Sequence, residues 1–155
     1  MADWRRSRSP ANALGASRRE EYLGRINRVI DHIEKHIGED LSLEGLSSVA
    51  CFSKYHFHRI FASMVGETLS DYILRLRVEK AAMRLLANPK TTETDIALDC
   101  RFANPSTFAR AFRDHLGMSA TAWRADLDPA DRKIGNWFAS PGKTKWARPS
   151  IVSPI

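Results

Sequence analysis

Two stretches of this chain are written to one pattern. F-x-R-x-F-x4-G-x5-[YW] fits Phe57, Arg59, Phe61, Gly66 and Tyr72, and fits Phe108, Arg110, Phe112, Gly117 and Trp123 a second time, each pair 51 residues apart. Phe52 and Phe102 stand at the turns that precede the two copies. A period of this kind means one supersecondary unit used twice. Whatever the first copy folds into, the second must fold into as well.

The surrounding residues show which unit it is. Ile26, Val29, Ile30, Ile33 and Ile37 follow the spacing of one helix face, with Gly38 as a stop. Ser42 caps a short second helix that turns Leu43, Leu46, Val49 and Ala50 inward. Ser53 caps a third that ends at Gly66. Ser70 caps a long fourth with Tyr72, Ile73, Leu76, Ala81, Leu85 and Leu86 inward, stopped by Asn88-Pro89. A fifth runs from about Glu93 to Cys100. Asn104-Pro105 is an N-cap followed by Pro at the first helical position of a sixth, which Gly117 ends. Ser119 caps a last short turn through Trp123 and Arg124. No period-2 strand pattern of useful length occurs, so the expected fold is all-α. A short helix, a tight turn, a second helix and a Gly make up a helix-turn-helix, present twice.

With 155 residues, 43% of them hydrophobic, the chain can bury one core or two small ones side by side. Residues 1–19, rich in Arg, Ser and Ala, are expected to be a disordered basic tail. Residues 20–127 form the folded part: subdomain one at about 20–68, a linker helix at about 70–87 and subdomain two at about 92–126. From Asp128 the helical stripe is lost, and 128–155 reads as a linker or the truncated start of an effector domain.

The net charge of +6 favours a polyanionic partner. It resides at the two ends, because positions 26–127 hold 13 basic and 13 acidic residues. Any polyanion met by the folded part must meet a local patch. In the third helix Phe57, Ile60, Phe61 and Met64 form the packing face, and Lys54, Tyr55, His58 and Arg59 fall mostly on the other side. In the sixth, Phe108, Ala111 and Phe112 pack inward while Ser106, Thr107, Arg110 and Arg113 remain outward. A helix is narrow enough to enter the major groove of DNA, where base edges present distinct donors and acceptors, and residues near its N-terminal end reach them.

The segments "LSLEGLSSVACFSKYHFHRIFASMVGETLSDYI", "LRVEKAAMRLL" and "DIALDCRFANPSTFARAFRDHLGMSATAWR" resemble the AraC/XylS family of bacterial transcription regulators over roughly residues 25–126. The resemblance implies about seven helices, arranged as two homeodomain-like helix-turn-helix subdomains joined by a long linker helix. It implies that two recognition helices enter successive major grooves of double-stranded DNA. The residues matching the base-reading positions are Tyr55, His58 and Arg59 in the first copy and Ser106, Thr107 and Arg110 in the second. Arg59 and Arg110 carry the strongest expectation, since an Arg reaches guanine O6 and N7 with two donors. Lys54, His56 and Arg113 are candidates for phosphate contacts, which position without specifying. RNA polymerase is a further partner by resemblance. A small-molecule effector is expected only if a C-terminal sensing domain exists outside this chain.

The family pattern has Gly in each helix-turn-helix turn, and here Cys51 and Arg101 take those places. If the position needs φ > 0, each non-Gly residue costs about 1 kcal/mol. Ala120 also replaces a Pro common at the start of the last helix.

Other chemistry finds little support. His32 and His36 have a ligand spacing without a third ligand, and Cys51 and Cys100 read as small buried fillers. "GKT" at 142–144 lacks the phosphate-loop Gly, since residue 137 is Trp. G-x-S-x-G, H-E-x-x-H and H-x-E with a paired C-x-x-C are absent, so neither enzyme nor cofactor is expected. No apolar run has the roughly 20 residues of a membrane span, and a cytoplasmic, nucleoid-associated protein is expected. Two other readings stay open: a helical module binding an acidic protein partner, and a non-specific nucleic-acid binder acting through its basic ends.

Overall fold

Side-chain caps decide where the helices begin. The computed structural model describes the backbone of residues 10–126 and the side chains of residues 15–125. Within them run α1 (Pro10–Lys35), α2 (Leu43–Val49), α3 (Lys54–Val65), α4 (Leu69–Ala87), α5 (Glu93–Asp99), α6 (Pro105–Leu116) and α7 (Ala120–Asp126). Ser42, Ser53, Thr92 and Asn104 accept the free N–H groups at the starts of α2, α3, α5 and α6. The architecture is the expected all-α one, with seven helices in two helix-turn-helix units joined by α4.

Two boundaries differ from the sequence reading. α1 starts at Pro10, inside the stretch 1–19 read as a disordered tail, and not near Glu20. Pro suits the first helical position and Ala, Leu and Arg are good helix formers. Propensity therefore extends the helix where no apolar stripe exists, and residues 15–21 are exposed. Residues 1–9 and 127–155, including the rest of that tail and the linker read at 128–155, lie outside the described residues. The cap of α4 is Thr68 and not Ser70. The Thr68 hydroxyl accepts from the Asp71 N–H at 3.2 Å and donates to the Asp71 carboxylate at 2.7 Å. Ser70 has no such partner three residues on, where Ile73 stands.

The apolar faces build two cores. One joins Ile26, Val29 and Ile33 of α1 with Leu46 of α2, Phe57 and Phe61 of α3, and Leu69 and Tyr72 at the start of α4. The other joins Val78, Ala82 and Leu85 of α4 with Ile96, Phe108, Phe112, Leu116 and Trp123. The linker helix thus serves the first core with its first turn and the second with its last three. The aromatic residues of the repeat touch in the same order in both. Phe57, Phe61 and Tyr72 stack at 5.7 and 5.5 Å between centroids, and Phe108, Phe112 and Trp123 at 5.4 and 6.1 Å. The caps repeat with the aromatics: Ser53 and Asn104, Gly66 and Gly117, and Thr68 and Ser119 hold equivalent places.

Two residues read as buried face solvent. Leu43 opens α2 on its outer side and is exposed. Cys51 is exposed as well, because its left-handed backbone turns the side chain away from the helix it terminates; Cys100 is buried as expected. A buried residue the periodicity did not suggest is Arg75, in α4.

Candidate nucleic-acid interface

Each helix-turn-helix turn is a helix C-terminus wound tightly enough to launch the next helix. After α2, the Cys51 N–H donates to Ser48 O and the Phe52 N–H to Ser47 O, both at 3.0 Å. After α5, the Arg101 N–H donates to Leu98 O and the Phe102 N–H to Ala97 O, both at 2.9 Å. This pair of bonds is the Schellman motif, which needs a left-handed residue at its penultimate position. Cys51 (φ 54°) and Arg101 (φ 63°) supply it. Both places where the family pattern has Gly do take φ > 0, without the Gly that would adopt it freely.

The turns present α3 and α6 with their packing faces buried and their other faces bare. Phe57 and Phe61, and Phe108 and Phe112, are buried; Ile60 and Met64 are half-buried. Lys54, Tyr55, His56, His58 and Arg59 are exposed, as are Ser106, Thr107, Arg110 and Arg113. All nine expected contact residues therefore sit on open helix surface. Tyr55 is 90% exposed, a large phenol held in water by nothing in the fold.

Partners separate these residues. The side chains of Arg59, Arg110, Tyr55, His58, Ser106 and Arg113 make no hydrogen bond or ion pair with other described residues. By contrast Arg25, Arg75, Arg77, Arg84, Arg101 and Arg124 each donate to a protein oxygen. Among the described residues nothing takes up the side-chain donors of the two repeat arginines. Three other candidates are partly committed. The Lys54 ammonium pairs with Glu44 at 2.9 Å, across two exposed side chains, where such a pair is worth little and gives way readily to phosphate. His56 packs its ring against Phe52 at 5.1 Å and Tyr22 at 5.8 Å. The Thr107 hydroxyl donates to Asn104 Oδ1 at 3.0 Å, so it can offer a ligand only its lone pairs and methyl group.

A helix-turn-helix domain family matches residues 46–126. The chain belongs to the AraC/XylS family. It is 37% identical over 103 residues to the uncharacterized HTH-type transcriptional regulator YbfP of Bacillus subtilis, covering 66% of this chain and 35% of that one. It is 34% identical over 106 residues to the right origin-binding protein of Escherichia coli, covering 67% of this chain and 36% of that one. The chain thus spans about a third of the length of these two curated relatives. Among solved structures, the DNA-binding domain of AdpA, crystallised in complex with a target DNA, superposes with a TM-score of 0.59 at 30% identity, over 65% of this chain and 90% of that one. An AraC-type regulator from Chromobacterium violaceum superposes with a TM-score of 0.62 at 25% identity, over 68% of this chain and 95% of that one.

Within the AraC/XylS frame, three polar features lie on or beside α4 and α6, and the sequence patterns did not single them out. Arg75 is 5% exposed and donates to Glu67 at 2.7 Å and Glu79 at 3.0 Å. Burial by itself lowers the basicity of this guanidinium, but the bonds and charges of Glu67 and Glu79 outweigh it and hold it above the ordinary arginine value. This triad ties the loop after α3 to α4. His115, on α6, is held below the ordinary histidine value by burial first and then by the charge of Arg75. Arg77 reaches from α4 to the backbone on either side of it. The one available signal was weak: an i, i+4 Arg–Glu pair at 75 and 79. His32 and His36 stack at 4.4 Å, and His36 pairs with Glu39 at 3.0 Å. Among the described residues no helix is long and apolar enough to cross a membrane.

Proposed function

We propose that this chain is the DNA-reading part of a bacterial transcription regulator, in which α3 and α6 enter successive major grooves on one face of the duplex. One observation carries the reading. The repeat puts Arg59 and Arg110 at the same register of two equivalent helices, exposed and without a side-chain partner among the described residues, where six other arginines are consumed by the fold. A guanidinium with its fork free at that site suits guanine O6 and N7. Tyr55 and His58 read neighbouring edges in the first half-site, and Ser106 and Thr107 in the second. Lys54, His56 and Arg113 hold phosphates. The solved AdpA domain with its target DNA supports this reading by likeness of fold. On this reading the protein works in the cytoplasm, on the nucleoid, carries out no covalent chemistry and passes its output to RNA polymerase. An effector acts only through a sensing domain outside this chain.

Selection of binding sites from random duplex DNA tests it. The expected result is a bipartite motif with halves about one turn, 10–10.5 base pairs, apart. Arg59→Ala or Arg110→Ala should relax preference at one base position by about 1–3 kcal/mol, and Lys54→Ala should weaken all sequences alike and reduce the salt slope by about 1. Enrichment of no motif at physiological salt overturns the proposal.

A further inference from the structure

The two turns are built alike but anchored differently. The first is tied within its own subdomain, where Arg25 donates to Cys51 O at 3.0 Å and the Cys51 side chain is exposed. The second is tied to the other subdomain. Arg101 Nε donates to Gly38 O at 3.1 Å, and its guanidinium stands 3.6 Å from Asp40. Arg77, on the linker helix between them, donates to Arg101 O and to Glu39 O, each at 3.3 Å. Two guanidiniums thus join the loop 38–40 of subdomain one to the turn of subdomain two, across 63 residues of chain. Arg101 does so from a left-handed conformation that a Gly would take without strain. Strain retained at a position that also makes a long-range contact points to a use for that contact.

We propose that Arg101, together with Arg77, is a positioning clasp that sets the relative placement of α3 and α6, and so makes the protein selective for the spacing between two DNA half-sites. The inference rests on the bipartite reading proposed above. One inserted base pair moves a half-site by about 3.4 Å along the duplex and turns it by about a tenth of a revolution. A pair of heads held rigidly loses one set of contacts after such a shift, whereas a loosely joined pair follows it. The Arg101 side chain turns its Nε to Gly38 O and a terminal nitrogen toward Asp40, both in subdomain one, and this direction sets its role apart from a phosphate contact beside α6.

The test uses the whole chain and duplexes carrying its selected motif, with the spacer at its preferred length and one or two base pairs longer or shorter. The wild type is expected to prefer one spacing sharply. Arg101→Gly, which suits the backbone there, should reduce the spacing penalty by roughly tenfold, the factor that corresponds to a coupling of middling size. Its salt slope should stay unchanged. Arg77→Ala should do the same from the other side of the clasp. An unchanged spacing penalty in both variants refutes the clasp. So does a uniform loss at every spacing with a salt slope lower by about 1, which marks Arg101 as a phosphate contact. If the wild type itself recognises a single half-site, the bipartite reading fails first and the clasp has no spacing to set.

Discussion

Cys51→Gly should make this protein more stable. Cys51 is at φ 54° in the turn between α2 and α3, with its side chain exposed. A left-handed conformation costs an L-residue about 1–2 kcal/mol. Gly removes that cost but loses about 0.5–1 kcal/mol through its greater freedom in the unfolded chain. The bonds that close the turn, from Cys51 N–H to Ser48 O and from Phe52 N–H to Ser47 O, use backbone alone and survive the change. With each cost near the middle of its range, the net gain is about 0.5–1 kcal/mol. For a domain of this size each kcal/mol moves the melting temperature by about 4–8 °C, so thermal unfolding followed by circular dichroism should show a rise of about 2–8 °C. Cys51→Ala keeps the Cβ and should show almost none. Arg101→Gly gains the same backbone relief but gives up the bond to Gly38 O, so its rise should be smaller. A melting temperature unchanged or lowered in Cys51→Gly refutes the account of the turn.

Three further expectations follow from the interior. Arg75→Ala strands the carboxylates of Glu67 and Glu79 in a buried setting and should cost about 3–5 kcal/mol in urea unfolding; a loss under 1 kcal/mol denies the triad its structural role. Burial first, and then the charge of Arg75, hold the His115 imidazole below the ordinary 6.5 in the fold, so the unfolded chain takes up its proton first as pH falls. Stability should therefore decline as pH drops through 6.5 and level off below the folded value, and His115→Asn should flatten that part of the profile; an unaltered profile rejects the assignment. Phe112→Ala, made between Phe108 and Trp123, should cost about 3–5 kcal/mol. Because the cores are separate, amide exchange should speed up in α5, α6 and α7 before α2 and α3; equal acceleration in both halves contradicts two cores.

Much of this architecture was legible in the chain. Periodicity located the buried faces, since Ile26, Val29 and Ile33, or Phe57 and Phe61, repeat at the pitch of a helix and have one way to leave water. Gly66 and Gly117 declared helix ends by the same token, adopting φ 87° and 76°. Errors arose where local signals competed. Thr68 outranked Ser70 because its hydroxyl meets Asp71 both as acceptor and as donor. α1 outran its apolar stripe because helix propensity needs no stripe. Leu43 stayed exposed because it opens a short helix on the side away from the core.

The nine expected contact residues came from the family resemblance laid over helix register, and register is a local property: residues three and four apart share a face wherever the helix lies. Register could also show which side of α3 and α6 remains bare. It could not show that Arg59 and Arg110 find no side-chain partner among the described residues while Arg75, Arg77 and Arg101 are taken up by the fold, because an arginine's partner is set by what the chain brings within about 3 Å of it. The sequence alone thus determined two copies of one helical unit and their outward faces, through spacing and caps. The tertiary structure decided which cations stay free to bind and which hold the copies together, since Gly38 and Arg101 are 63 residues apart in the chain and 3.1 Å apart, atom to atom, in the fold.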